Sequence, residues 1–180
     1  ILTQNTAWSN VERAIANLKQ ADLLTPEALS RCSHETLAEA LRPSGYFNVK
    51  AARLKNLCTL ILDLDLEASR AMETSTLREV LLTVKGVGPE TADDILLYAY
   101  ERPVFVIDAY TRRILSRIGL VSGKESYEVL RGHIESHFVA SAAIYNEYHA
   151  LIVRHAKQAC RVKPLCSTCI LHSKCVFGAK

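Results

Sequence analysis

Apolar residues recur at helical spacing along most of the chain, and this periodicity restricts the fold more than any other feature. Trp8, Val11, Ile15 and Leu18 form the first such stripe. Comparable stripes recur within residues 49–64, 77–84, 92–99, 114–118 and 144–152. Spacings of three and four residues place apolar side chains on one face of an α-helix, where a neighbouring helix can cover them. The sequence therefore predicts an all-α fold with short connections.

One segment has the composition of a β-strand. Residues 104–107 read Val-Phe-Val-Ile, which is rich in β-branched side chains. No second segment that could pair with it is found, so we expect extended chain leading into a helix and no sheet. Upstream, Thr25-Pro26-Glu27 combines a helix N-cap, a first-turn proline and a first-turn acid. The helix that begins there is expected to end before the turn Pro43-Ser44-Gly45.

The composition excludes two classes of protein. Of the 180 residues 49% are hydrophobic, which is too many for a disordered chain. No apolar run reaches the ~18–20 residues needed to cross a bilayer, so no membrane partner is expected. The formal net charge of +3 still permits a local DNA-binding patch. The chain begins with Ile1 and not with Met, so we expect N-terminal sequence to be missing, and the lack of a targeting signal supports a cytoplasmic location only weakly.

Two glycines mark a tight turn between two amphipathic patterns. Gly86 and Gly88 permit positive φ and close approach of another backbone, and Pro89 suits the first turn of the next helix. Backbone N–H groups at such a turn form an anion site fit for a DNA phosphate. We therefore predict that Gly86, Val87 and Gly88 contact DNA. Taken alone, the same motif more often forms an ordinary helix–helix turn with a glycine cap.

Asp108 follows the strand-like run and precedes a helical pattern. Its local sequence favours an N-cap role, in which the carboxylate accepts backbone hydrogen bonds.

The order of these motifs resembles the helix-hairpin-helix DNA glycosylase superfamily of endonuclease III. Residues 81–92 match Leu-x-x-x-Lys-Gly-Val-Gly-x-x-Thr-Ala, and residues 106–108 supply the Val-x-Asp that follows. The resemblance implies that Asp108 is the catalytic carboxylate, which stabilises the oxocarbenium charge that builds on the sugar as an N-glycosidic bond breaks. It can also orient or deprotonate the attacking water once the target base has been flipped out of the stack. Double-stranded DNA with damaged bases is the implied partner of a monomeric enzyme. The resemblance further implies a helical barrel domain over 1–102 and a second domain over 103–180, without the N-terminal helix residues that the family adds to the second domain.

Glu90 departs from the bifunctional members of that superfamily. Those enzymes carry a lysine two residues after the second hairpin glycine, which attacks the sugar, forms a Schiff base and leads to strand cleavage. A carboxylate cannot form a Schiff base, and Lys85 lies on the other side of the turn. We therefore predict weak or absent lyase activity. Glu90 also fits a first helical turn, where the helix dipole favours an acid.

Three stretches, Leu2–Thr6, Leu41–Asn48 and Gly86–Asp93, are similar to the 3-methyladenine glycosylase branch, whose members also carry Glu after the hairpin. The similarity implies that the substrate is an alkylated purine such as 3-methyladenine. Cationic bases of this kind are good leaving groups, and an aromatic pocket would attract them.

Aromatic and polar residues of these stretches are candidates for contact with the flipped base and the duplex. Trp8, Tyr46 and Phe47 are the pocket candidates, with core packing as the alternative. By the same similarity, Gln4 and Tyr46 match positions that wedge into the duplex when the base leaves the stack.

Four cysteines crowd into the last part of the chain with the spacing C-x5-C-x2-C-x5-C, namely Cys160, Cys166, Cys169 and Cys175. Zinc and a [4Fe–4S] cluster both take four thiolates. The single C-x2-C pair favours the cluster, and structural disulfides are disfavoured in a cytosolic protein. Endonuclease III has nearly the same pattern with one more residue in its first gap, which implies a [4Fe–4S] cluster here. Cys32 and Cys58 lie in helical stretches and are predicted to be buried free thiols.

The loop between the first two of these cysteines is basic. It carries Arg161 and Lys163, with Arg154 and Lys157 just upstream. In the family this loop touches the DNA backbone, so we predict contacts to phosphate. A solvated charged face is the alternative. The 3-methyladenine branch includes members without the cluster, so the chain combines the hairpin of one branch with the cofactor motif of another.

These motifs together predict a monofunctional DNA glycosylase for alkylated purines. One alternative is an endonuclease III-type glycosylase and lyase that acts on oxidised pyrimidines through another amine. A second alternative is a DNA-damage binding or redox-sensing module without catalytic activity.

Overall fold

A computed structural model describes residues 1–178 and contains only helices, turns and irregular chain within that range. The prediction of an all-α fold is confirmed. The helices are α1 (Trp8–Gln20), α2 (Pro26–Arg31), α3 (His34–Leu41), α4 (Phe47–Asp63), α5 (Leu66–Ala71), α6 (Thr74–Leu82), α7 (Pro89–Tyr98), α8 (Ala109–Ile118), α9 (Tyr127–Glu135) and α10 (Ala142–Gln158). Short 3-10 turns occupy Arg42–Ser44, Cys166–Thr168 and His172–Lys174. No helix among the described residues combines the length and the apolar character that a bilayer crossing requires.

The chain divides into two compact units, Ile1–Ala92 and Asp93–Lys180. The division falls inside α7, whereas the predicted domain boundary at 102/103 comes after that helix. The first unit therefore ends with the hairpin and the first turn of α7, and the second unit begins with an aspartate pair, Asp93 and Asp94. The assignment of functional domains to 1–102 and 103–180 stays a prediction.

The first unit has its own core, in which α4 packs against α2 and α3, and α1 packs against α3. Apolar residues from all four helices are buried together, namely Ala14, Leu18, Leu29, Leu37, Ala38, Leu41, Ala51 and Cys58. Trp8 stands outside this core with 54% of its surface exposed, so it does not extend the stripe of α1 as its spacing suggested. Cys58 is buried as predicted, but Cys32 is only partly covered, and both thiols are free.

Side-chain caps set the helix boundaries of the first unit. Thr25 accepts a hydrogen bond from the Ala28 N–H, as its position predicted. Ser33 accepts one from the Thr36 N–H and starts α3. The single helix that we expected between Pro26 and Pro43 is therefore two helices, because a second N-cap residue interrupts it.

The second unit is built around the strand-like segment. Val104, Phe105, Val106 and Ile107 are all buried and lie outside any helix or strand. Leu97 of α7, Cys160 and apolar residues of α8, α9 and α10 complete the core. Side chains satisfy part of the backbone of this segment: the Phe105 N–H donates to Glu135 Oε1 at 2.9 Å, and the Ile107 N–H donates to Tyr127 Oη at 3.4 Å. A buried irregular segment can thus exist here without a partner strand, and no sheet is found among residues 1–178, as we predicted.

Candidate functional site

The predicted hairpin lies between the end of α6 at Leu82 and the start of α7 at Pro89. Gly86 has φ +104°, a conformation that glycine adopts without strain. A Cβ atom at Gly86 would lie 2.2 Å from Arg53 Cγ, so only glycine lets α4 approach the turn this closely. A Cβ atom at Gly88 would meet open space. Val87 is buried between the two glycines and anchors the turn in the first unit.

Gln4 lies against this turn with both ends of its amide engaged. Its Nε2 donates to the Gly86 carbonyl at 3.3 Å and to Thr91 Oγ1 at 3.0 Å. Its Oε1 accepts from Arg53 Nη1 at 2.6 Å. The structure therefore brings Gln4 and the hairpin together, and it adds Arg53, which the sequence analysis missed because nothing in the local sequence of α4 distinguishes it.

Position 90, where the bifunctional enzymes carry a lysine, lies in the first turn of α7. Glu90 is exposed there, where its carboxylate suits the N-terminal end of the helix. Lys85 is exposed on the α6 side of the turn, and its carbonyl accepts a hydrogen bond from Asn56 Nδ2 at 3.1 Å.

The three aromatic candidates occupy different surroundings in the first unit. Tyr46 is 73% exposed and has φ +47°, a left-handed conformation that costs about 1 kcal/mol or more for a residue with a Cβ atom. Phe47 is partly buried against the core, and the Arg42 guanidinium stacks over its ring at 4.7 Å from the centroid. The exposed Trp8 indole donates from Nε1 to Glu12 Oε1 at 2.9 Å.

Asp108 begins α8 as its N-cap residue. Its Oδ1 accepts a hydrogen bond from the Thr111 N–H at 2.7 Å. Its Oδ2 lies 3.6 Å from His149 Nε2, and the Asp108 side chain is only 15% exposed. Burial favours the neutral acid, but the nearby His149 imidazole and the hydrogen bond from the Thr111 N–H outweigh burial and hold the pKa of Asp108 below its ordinary value. The carboxylate is therefore an anion that is largely shielded from solvent.

Two further groups of the second unit complete the surroundings of Asp108. Tyr98 Oη lies 2.6 Å from His149 Nδ1. Burial, followed by the charges of Asp94 and Asp108, raises the pKa of Tyr98 to about 12. Burial also raises the pKa of Asp94 to about 6, against the opposing effect of His149.

The sequence analysis missed His149, although a signal was present. The buried face of α10 consists of Tyr145, His149, Ile152 and Ala156. A histidine within an otherwise apolar helical stripe is unusual enough to mark a buried polar interaction.

All four C-terminal cysteines line one cavity in the second unit. The walls of this cavity are otherwise largely apolar, with Ile114, Leu165 and Phe177 among them. Within residues 1–178, no three histidine, cysteine or acidic side chains converge closely enough to chelate a single metal ion. Four thiols around one apolar cavity are a donor set that fits a thiophilic group of several atoms, such as an iron–sulfur cluster.

Arg117 of α8 holds the loop that follows the first of these cysteines. Its Nη1 donates to the Arg161 carbonyl at 2.6 Å, and its Nη2 donates to the Val162 carbonyl at 3.1 Å. Nη1 also lies 3.4 Å from Cys160 Sγ. The side chains of Arg161 and Lys163 are exposed on this loop and form no hydrogen bond or ion pair with the described part of the chain. The predicted basic loop is thus present, with an anchored backbone and exposed charges.

Comparison with known proteins agrees with this arrangement. A DNA glycosylase crystal structure, that of H. pylori 3-methyladenine DNA glycosylase bound to 1,N6-ethenoadenine, superposes with a TM-score of 0.76 at 33% identity, over 87% of this chain and 81% of that one. A structure of an endonuclease III–DNA complex superposes with a TM-score of 0.83 over 99% of this chain and 80% of that one, but at 20% identity it shares the fold alone.

Sequence relatives cover almost the whole chain. A protein of Methanocaldococcus jannaschii, named "putative DNA repair glycosylase", is 46% identical over 98% of this chain and 82% of its own length. Endonuclease III of Sulfolobus acidocaldarius is 30% identical over 98% of this chain and 78% of its own length. Residues 1–138 match the HhH-GPD superfamily of base excision DNA repair proteins. The chain therefore belongs to the HhH-GPD superfamily and is a DNA repair glycosylase of the endonuclease III-like group.

Proposed function

We propose that the protein acts as a monomeric, monofunctional glycosylase that removes an alkylated purine, such as 3-methyladenine, from double-stranded DNA. The observation that carries the proposal is the state of Asp108, a shielded carboxylate that two donors keep ionised at the start of α8. An anion of this kind is the group that the cleavage of an N-glycosidic bond requires, because positive charge builds on the sugar as the bond breaks.

The proposed reaction uses Asp108 in two ways. The bond between the base nitrogen and the sugar C1′ breaks, and its electron pair goes to the base, so that a cationic alkylated purine leaves as a neutral molecule. The Asp108 carboxylate stabilises the oxocarbenium ion that remains. Water then adds to C1′, and its proton passes to the Asp108 carboxylate.

The hairpin residue Glu90 supports hydrolysis without an enzyme-linked intermediate. A carboxylate cannot condense with the opened sugar, so no Schiff base forms at this position. Borohydride trapping on an abasic duplex tests this step. We expect no adduct that withstands denaturation, with an endonuclease III as the positive control. A strong adduct would favour the alternative enzyme, a glycosylase and lyase that uses another amine.

The preference for alkylated purines rests on the 33% identity to the H. pylori 3-methyladenine glycosylase and on Glu90 at the hairpin. The 30% identity to an endonuclease III supports oxidised pyrimidines as the second candidate. A panel of duplexes that carry methylated purines, 1,N6-ethenoadenine, thymine glycol or no damage, each scored for release of the free base, separates the two. We expect release of methylated purines and none from thymine glycol.

The DNA contacts are proposed for the hairpin and for the surface residues near it. Gly86 and Gly88 would face a phosphate, while the buried Val87, whose N–H donates to the Val84 carbonyl at 3.0 Å, would hold the turn and offer no free N–H. Gln4 and Tyr46 would enter the duplex where the base has left. Trp8 and Phe47 would contact the flipped base. Arg161 and Lys163 would meet a second stretch of backbone phosphates.

A [4Fe–4S] cluster is proposed as the group that Cys160, Cys166, Cys169 and Cys175 hold. When bound, such a cluster crosslinks the C-terminal loops and brings a redox-active centre to the protein. Arg117 would hold the first loop at the cluster through the hydrogen bonds described above. Anaerobic purification tests the assignment: a brown protein with a broad visible absorption band and about four irons per chain is expected. A colourless protein with one zinc would overturn it.

A further inference from the structure

His149 is a buried side chain that faces two partners of the second unit. Only 8% of the residue is exposed. Its Nδ1 lies 2.6 Å from Tyr98 Oη, and its Nε2 lies 3.6 Å from Asp108 Oδ2. Nε2 has no closer hydrogen-bond partner among the described residues. The imidazole therefore links a phenol on one side to the proposed catalytic carboxylate on the other.

The two partners of His149 together favour one position for its ring proton. A neutral imidazole has one donor and one acceptor nitrogen. An unprotonated Nε2 would point its lone pair at the ionised Asp108 carboxylate, so the proton is favoured on Nε2, on the side that faces Asp108. Nδ1 is then the acceptor of the Tyr98 hydroxyl, whose pKa is raised to about 12, and this hydrogen bond stabilises the same tautomer.

The same arrangement orients the carboxylate. Oδ1 is held by the Thr111 N–H at 2.7 Å, and Oδ2 faces the His149 N–H at a distance longer than an ordinary hydrogen bond. Oδ2 therefore keeps the capacity to accept a further proton donor, such as an attacking water. The Phe105 ring meets the imidazole edge-on and shields it on another side.

We propose that Tyr98 and His149 are positioning residues for base excision, in which Tyr98 stabilises the imidazole tautomer and the His149 Nε2–H holds Asp108 Oδ2 towards the reacting sugar and water. The inference rests on the proposed role of Asp108 in the reaction. Neither residue was predicted from the sequence, and neither touches the substrate in this proposal.

Three substitutions test the inference. H149Q places an amide N–H donor near the position of Nε2, and a glutamine amide has no tautomers that Tyr98 could select. H149L removes the donor, and Y98F removes only the hydroxyl. Each variant is measured for the single-turnover release of 3-methyladenine from dimethyl sulfate-treated duplex, for its Kd on a duplex with a tetrahydrofuran abasic site, and for its Tm.

We expect H149L to lower the single-turnover rate by at least about tenfold while the Kd changes by less than about twofold. H149Q should recover most of the rate. Y98F alone should lower the single-turnover rate about threefold or more. Added to the H149Q variant, it should leave the rate of that variant unchanged, because the glutamine amide has no tautomers to be selected. Equal effects of Y98F in both backgrounds, or a rate for H149L equal to that of the wild type, would overturn the inference.

The D108N variant separates the proposed role of Asp108 in the reaction from the proposed positioning role of Tyr98 and His149. If D108N abolishes base release while H149L, H149Q and Y98F leave it unchanged, the role of Asp108 stands and the positioning role of His149 fails. If D108N releases base at the wild-type rate, the proposed function itself fails. Should H149L not fold, H149Q and Y98F still decide the question, because H149Q keeps a polar side chain of similar size and Y98F keeps the aromatic ring.

Discussion

At the scale of single residues, Asp108 combines a structural and a chemical task without conflict. The cap uses Oδ1, on the Thr111 N–H, and leaves Oδ2 towards His149. The cap could be predicted from the sequence, because it depends only on the helix that follows. The catalytic interpretation needed the wider motif. The sequence could mark His149 as a buried polar residue of α10 but could not pair it with Asp108. Tyr98 and His149 are 51 positions apart in the chain, and only the folded second unit joins them.

The second carboxylate of this region makes stability depend on pH. Asp94 has a folded-state pKa of about 6, raised mainly by burial, so the native state binds its proton more tightly than the unfolded chain does. The contribution of Asp94 to the free energy of unfolding should therefore fall as pH rises from about 4 to about 6, and then stay level. D94N should remove this loss and stabilise the protein by about 1–2 kcal/mol at about pH 8, with little effect at about pH 4.

Urea unfolding at the two pH values measures this difference. E79Q, which neutralises an exposed carboxylate of α6, is the control and should change little at either pH. A D94N variant that is equally or less stable than the wild type at the higher pH would show that burial does not penalise the charged form of Asp94.

At the scale of elements, the hairpin depends on the absence of a side chain at Gly86, which lets Arg53 of α4 pack against the turn. The tight turn and the proline at the start of α7 could be predicted from local residue types. The reason for glycine at position 86 could not be predicted, because it involves Arg53, whose side chain lies where a Cβ atom of residue 86 would be. Gln4 then joins the N-terminal segment to the same turn.

The two glycines should therefore differ sharply in their tolerance of alanine. G86A introduces a Cβ atom at φ +104° and against Arg53, so we expect a loss of about 1–3 kcal/mol of stability. It should also weaken binding to an abasic-site duplex. G88A is the matched control, because its Cβ atom meets open space, and its Tm should stay close to that of the wild type. Equal Tm values for the two variants would contradict the account of the turn.

The apolar periodicity predicts that a helix is present, but not where the helix begins or which of its faces is buried. Ser33 caps a new helix inside a stretch that the apolar pattern treats as continuous. In α10, apolar residues occur on more than one side: Ile144 and Leu151 are 44% and 41% exposed, while Tyr145, His149 and Ile152 are buried. The pattern identified the helix but not its buried face, because the choice between faces depends on the elements that pack against it.

At the scale of the whole molecule, each of the two units encloses a core of its own. The helical periodicity was sufficient to predict the all-α fold. The order of motifs along the chain, from the hairpin to Asp108 to the four cysteines, was sufficient to indicate the superfamily. The shared cavity of the cysteines and the anchoring of their first loop by Arg117 arise from contacts between distant segments. The sequence could indicate the four cysteines as ligands, but not the contacts through which Arg117 holds their first loop.

The exposed charges of that loop predict a salt effect on DNA binding. K163A should lower the affinity for duplex DNA and reduce the slope of log K against log salt by about one, because one phosphate contact is lost. R161A should act in the same way. K124A, which removes an exposed lysine elsewhere in the same unit, is the control. Identical slopes for K163A, K124A and the wild type would place the loop away from DNA.

The central claim is that the Asp108 carboxylate performs base excision, and the single-turnover release of methylated purine by D108N tests it most directly. Asparagine caps a helix about as well as aspartate, so Tm and affinity for the abasic-site duplex should stay near the wild-type values. The loss of the negative charge should lower the rate roughly 10²–10³-fold or more. A folded D108N variant that releases the base at the wild-type rate would contradict the account.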